Sequence, residues 1–250
     1  MIHPRLLTGP TLAAGLLAAF AGAAKASPYE IPDLDAASGW EVKIQAESKQ
    51  SRDERSVEGP ILDLTAPIRP GLETSLTFGR AWARTPGGPT YTGVTDTEVA
   101  VKWELARQGE HGSGVYVTTE PSVFVPTGSK GLTEDHWRIE VPLIVGRTFG
   151  PWAVRGMVAY GRNLDGPADG EVSVAGLVTY DLSEHFQLGA ELATEAPSDL
   201  IGDYGATANF GFSWEALEGL EVQGRIGRTV REAPGSAPAT TIALYVEKAF

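Results

Sequence analysis

WRIEVPLIVGRTFGPWAVRGMVAYGRNLDGPADGEVSVAGLVTYDLSEHFQLGAEL, residues 137–192, is the stretch whose reading decides the fold. It contains four runs in which every second residue is apolar or small. These are Trp137, Ile139, Val141, Leu143, Val145; then Trp152, Val154, Gly156, Val158, Tyr160; then Val172, Val174, Gly176, Val178, Tyr180; and finally Phe186, Leu188, Ala190, Leu192. A period of two places one side-chain set on each face of a β-strand. A tight break at Gly150-Pro151, a polar stretch from Asn163 to Gly170 and a break from Asp181 to His185 separate the runs. Short, long and short connections mark strands that run up and down between turns at one end and loops at the other.

The same pattern extends in both directions. Upstream lie Trp40, Val42, Ile44, Ala46; a run within Ile61 to Ile68; Leu72, Thr74, Leu76, Phe78; Thr97, Val99, Val101, Trp103, Leu105; and a less regular strand from about Gly114 to Val125, where Pro121 predicts a bulge or bend. Downstream lie Ala206, Ala208, Phe210, Phe212, Trp214; then Leu220, Val222, Gly224, Ile226; and Ile242, Leu244, Val246 before Phe250. Pro142 is a local misfit within its run, because it removes one ladder hydrogen bond. Ser48 to Pro60, Thr85 to Asp96 and Pro126 to Asp135 are polar or rich in Gly and Pro, and are expected to be long outer loops.

Twelve strands result, and the even number with alternating connection lengths predicts an all-β fold, a transmembrane antiparallel up-and-down β-barrel. Lipid cannot satisfy backbone N–H and C=O groups, so a sheet within a membrane must close and leave no edge. One face of each strand then meets lipid and the other meets water. The second face carries Lys43, Glu98, Lys102, Arg138, Glu140, Arg155, Glu171, Glu191 and Arg225, which are the candidates to line a pore. Arg80 and Arg228 fall on the apolar face near outer strand ends, where a long side chain can snorkel to the headgroups. A soluble β-sandwich would also alternate polar and apolar residues. Its strands are ordinarily shorter, and it would not require a chain ending on an aromatic residue at a strand end. Ile242, Leu244, Val246 and Phe250 resemble the C-terminal signal read by the barrel assembly machinery, with Lys248 departing from it.

Residues 1–26 have Arg5, an apolar core from Leu12 to Ala24, no acidic residue and Ala24-Lys25-Ala26 before Ser27, which predicts a cleaved signal peptide. Residues 27–39 are expected to form a polar periplasmic tail, and residues 40–250 the barrel. The chain carries a net charge of −12, which becomes −14 once Arg5 and Lys25 leave with the leader. This argues against nucleic acid as a partner, which needs a clustered basic surface. The absence of cysteine excludes disulfides, a thiol nucleophile and a lipid at the cleavage site. Beyond the leader no segment approaches 18 consecutive apolar residues, which excludes a helical membrane protein.

Catalytic and metal chemistry find little support in the sequence. Of the four histidines, His3 lies in the leader, while His111, His136 and His185 are placed in turns or loops without metal-ligand spacing, so no metal or cofactor is expected. His136 with Ser129 could be drawn into a lipid-hydrolase arrangement, but no residue is positioned to orient the base. The glycine pair in Thr85-Pro86-Gly87-Gly88-Pro89 is flanked by prolines and is not a phosphate cradle. Trp40, Trp82, Trp103, Trp137, Trp152 and Trp214 lie near strand ends, as an interfacial aromatic belt requires.

Two stretches carry a family resemblance, Pro121-Ser-Val-Phe-Val-Pro126-Thr-Gly128 and Tyr180-Asp-Leu-Ser-Glu-His-Phe-Gln-Leu-Gly-Ala-Glu-Leu192, and Trp214 to Val222 repeats the turn grammar of the second. They resemble the outer-membrane protein family of the MetA-pathway of phenol degradation, over Trp40 to Phe250. The resemblance implies an outer-membrane barrel that passes small compounds, aromatic or hydrophobic ones among them, with no catalytic residues to transfer. The sequence-based expectation is therefore a passive channel in outer-membrane lipid, with the three outer loops gating its mouth. The alternative is a closed structural or adhesive barrel whose loops bind a partner.

Overall fold

The structure is a computed structural model that describes residues 27–52, 55–84, 87–109, 114–133, 136–165, 170–198, 204–233 and 236–250. The expected signal peptide and His111 lie outside these residues. Fourteen strands are present: β1 (Glu41–Gln50), β2 (Arg55–Arg69), β3 (Leu72–Arg84), β4 (Thr90–Val94), β5 (Thr97–Ala106), β6 (Tyr116–Thr119), β7 (Ser122–Val125), β8 (Arg138–Phe149), β9 (Trp152–Asn163), β10 (Gly170–Ser183), β11 (Phe186–Pro197), β12 (Gly205–Leu217), β13 (Leu220–Arg231) and β14 (Thr240–Ala249). All pairings between these strands are antiparallel, and β1 pairs with β14 from Glu41↔Ala249 to Gln50↔Thr240, which closes the sheet.

The closed barrel has twelve strands. β6 and β7 both pair with β5 and β8, so they are one barrel strand broken at Glu120 and Pro121, where the bend was expected. β4 pairs with the Arg80–Arg84 end of β3, beyond the residues of β3 that pair with β5. It therefore extends the wall without adding a stave. Pro142 is tolerated in β8 with its ring on the inner face, and its carbonyl accepts a hydrogen bond from Thr119 Oγ1 at 2.7 Å.

Two loop expectations are corrected. The stretch from Ser48 to Pro60 is mostly strand, since β1 runs to Gln50 and β2 begins at Arg55. The 15 residues of β2 extend roughly 50 Å at about 3.3 Å per residue, whereas the apolar band of such barrels is about 25 Å tall. The excess projects beyond the lipid, where a strand needs ladder hydrogen bonds but no apolar face. The supposed loop from Thr85 to Asp96 likewise contains β4. Residues following β7 fasten onto it: Ser129 N–H donates to the Val94 carbonyl at 2.9 Å, and Val94 N–H to Ser129 Oγ at 3.0 Å.

The outer surface carries the apolar set. Val141, Leu143, Val145, Val154, Val158, Val174, Val178, Phe210, Ile226 and Leu244 are exposed on it, as alternation demands of a lipid-facing surface. Trp40, Trp103, Trp152 and Trp214 lie toward the end with short turns, and Trp152 packs on Tyr180 with ring centroids 4.5 Å apart. Arg228 faces outward and donates to Thr240 Oγ1 at 3.0 Å.

Candidate functional site in the lumen

The inner wall has two unlike sides. Across β1, β2, β3, β5 and β14 it is charged, with Lys43 Nζ 3.4 Å from Asp63, and Lys102 Nζ 3.2 Å from Glu73 and 3.6 Å from Glu120. Each ammonium is held among carboxylates, because a charge removed from bulk water needs opposite charge nearby. On β8, β9 and β10 the middle of the inner face is instead apolar, with Ile144, Met157, Ala159, Ala175 and Leu177 all buried. A water-filled channel wall gives no reason for such a patch.

The reason is the segment 27–39. The residues expected as a polar periplasmic tail do not stand free of the barrel: they turn inward from the end that bears the short turns. Tyr29, Ile31 and Leu34 pack on Ile144, Met157, Ala159, Ala175 and Leu177 in one apolar cluster. Ile31 is 0% exposed, and burying such a side chain contributes about 1.5–3 kcal/mol. Sequence reading missed this because the segment has no periodicity. Its apolar residues are irregularly spaced, as suits a chain that fits a cavity rather than a sheet.

The wall is shaped to the segment. Gly189 and Gly211 face each other across β11 and β12. A Cβ at Gly189 would fall on the Tyr29 ring, one at Gly211 would lie 3.0 Å from the Tyr29 hydroxyl, and one at Gly146 would lie 2.5 Å from Leu34 Cδ1. Wall side chains also take the segment's backbone groups. Glu191 accepts from Glu30 N–H at 3.1 Å and from Ile31 N–H at 2.9 Å. Glu104 accepts from Ala36 N–H at 2.7 Å, Glu73 accepts from Ala37 N–H, and Thr118 Oγ1 donates to the Leu34 carbonyl at 2.6 Å. Three ion pairs complete the docking: Asp33 with Arg155 at 2.6 Å, Asp35 with Arg107 at 3.9 Å, and Glu30 with Arg225, whose other nitrogen lies 2.7 Å from Glu47. Burial pushes the Tyr29 phenol up, with Glu191 the next cause.

Space remains on both flanks of the segment. A cavity of about 400 Å³ lies along the charged side, among Lys43, Asp63, Glu98, Lys102, Glu120 and Glu247. A second, of about 480 Å³, lies among Glu47, Arg138, Glu140, Glu195, Arg225 and Arg231. Of the nine residues singled out from sequence, Lys43, Glu98 and Lys102 border the first cavity, Arg138 and Glu140 the second, and Arg225 both. Glu171 pairs with Arg138 at 2.7 Å. Arg155 and Glu191 border neither of these cavities; they hold the inserted segment. Glu73, Glu104 and the acidic residues of the segment itself were not anticipated as part of the site.

The Ser129–His136 arrangement does not form. Ser129 is engaged with Val94, His136 Nδ1 lies 4.0 Å from Asp165 Oδ1, and no hydrogen bond joins Ser129 to His136 among the described residues.

No protein-family model and no curated relative matches the sequence. Solved structures do. The COG4313 outer membrane channel from Pseudomonas putida F1 superimposes with a TM-score of 0.70 at 15% identity, covering 92% of this chain and 98% of that one. The NanC porin gives 0.60 at 9% identity over 84% and 100% of the two chains, and the KdgM porin 0.58 at 14% over 83% and 99%. At such identities the likeness speaks to architecture, and with the closed, outwardly apolar sheet it establishes the fold of an outer-membrane β-barrel.

Proposed function

We propose that the protein is an outer-membrane channel for the passive passage of small solutes. The observation that carries this reading is the charged, cavity-bearing side of the lumen. A barrel serving only as an anchor has no need of paired lysines and carboxylates around about 400 Å³ of open space. The resemblance to the MetA-pathway family supports aromatic or hydrophobic compounds among the solutes. The outward apolar band belongs in outer-membrane lipid, and the strand ending at Phe250 is offered to the assembly machinery after export by the leader. A metal-free, non-enzymatic role is part of the same reading.

The inserted segment gives the second reading its one specific observation. A barrel filled by its own chain could be non-conducting and act through its outer loops. Planar-bilayer conductance together with solute uptake into liposomes separates the two. Discrete conductance steps and uptake are expected; a silent bilayer and no uptake with folded, heat-modifiable protein would favour the closed barrel.

A further inference from the structure

The segment 27–39 is held in a manner that permits it to leave. Almost every wall group that grips it has a second partner in the wall. Glu191 also accepts from Asn209 Nδ2 at 2.7 Å, Arg225 also pairs with Glu47 at 2.7 Å, Glu104 also receives Arg107 at 2.7 Å, and Glu73 also pairs with Lys102 at 3.2 Å. Withdrawing the segment leaves Arg225, Glu104 and Glu73 paired with opposite charge and Glu191 hydrogen-bonded to the Asn209 amide, and an unpaired buried charge is what makes breaking such contacts costly. Arg155 is the exception: among the described residues Asp33 is its one ion-pair partner.

The root of the segment is fixed and has a pivot. Phe250 N–H donates to the Trp40 carbonyl at 2.9 Å, which ties the start of β1 to the end of the chain. Gly39 stands immediately before that tie, where a Cβ would fall on the Phe250 carbonyl oxygen, so the position carries no side chain and keeps glycine's backbone freedom.

From this we infer that residues 27–39 form an autoinhibitory plug that swings about Gly39, with the Asp33–Arg155 pair as the latch that sets how often it is released. The inference rests on the channel reading for its consequence, but not for its motion. Release leaves the wall's own ion pairs intact and frees the middle of the lumen, while the barrel stays closed through the β1–β14 ladder.

The test measures motion and conduction separately, in full-length protein reconstituted into liposomes and planar bilayers. Leu34→Cys supplies a buried reporter in a chain without cysteine, and a water-soluble maleimide reads its exposure. Adding Asp33→Asn is expected to raise the labelling rate about tenfold, the size of one lost charge-assisted contact. Glu30→Gln should raise it much less, because Arg225 keeps Glu47. If conductance rises with labelling, both the latch and the channel stand. If labelling rises and the bilayer stays silent, the latch stands and the channel reading fails. Equal labelling in all variants, with heat-modifiable migration intact, overturns the latch. A larger effect from Glu30→Gln than from Asp33→Asn also overturns it.

Discussion

The two sides of the lumen obey different rules although they belong to one continuous sheet. On the β1–β5 side, the inward residues are charged and face a cavity; on the β8–β10 side the central ones are apolar and face Tyr29, Ile31 and Leu34. Strand alternation accounts for the first side completely. The second makes sense only with the plug in place, and its apolar residues would otherwise lie against water. An inner face thus records what it meets, a polar cavity on one side and a peptide on the other.

The largest effect should come from the charged side. Lys102→Ala strips Glu73 and Glu120 of their common cation, a loss of about 3–5 kcal/mol for a broken buried pair, read as a lowered midpoint in urea unfolding from detergent. An unchanged midpoint would show that water reaches this cluster freely. On the outer surface, Val158→Arg places a charge toward the lipid at a cost of about 2–4 kcal/mol near the bilayer midplane. Refolding into bilayers checks this, and a neutral result would break the facing assigned to β9. On the plug side, Ile31→Ala should weaken docking by about 2–4 kcal/mol, the usual range for truncating a buried Ile. That loss should appear as faster labelling of Leu34→Cys with barrel unfolding unmoved; a drop in barrel stability would mean that the plug is part of the core.

The smallest effect concerns pH. Burial, and after it the Glu104 carboxylate, raises the Asp35 carboxyl above its ordinary value. The docked plug therefore binds this proton more readily than a released one. Lowering the pH through the raised value favours docking at this residue, and raising it opposes docking. Asp35 is half exposed, so its substitution by Asn should change the released fraction by less than about threefold, seen as a flatter pH profile of labelling.

The barrel was legible because lipid imposes a strict period. Strand number, the bend at Pro121, and the outward Arg80 and Arg228 all follow from residues of alternating character. The strand extensions at Ser48–Gln50 and β4 were not legible, since beyond the lipid a strand is polar on both faces and reads as a loop. The plug was hidden for a related reason: its partners lie far away in sequence, Glu191 about 160 residues from Ile31. One signal did exist. In 141–146 and 172–180, apolar residues occupy both faces of the strand, as Ile144 and Leu177 do between lipid-facing neighbours. An inward apolar strip in a polar barrel calls for something to cover it.

The most direct test of the plugged channel is a disulfide across its docking face. Leu34→Cys with Gly146→Cys places the two thiols where Leu34 Cδ1 now meets the Gly146 wall, and the cysteine-free chain offers no competing pair. Single-channel recording is predicted to show a closed barrel when the pair is oxidised, with conductance steps appearing on addition of reductant. Identical conductance in the oxidised and reduced states would contradict a plug that controls the lumen.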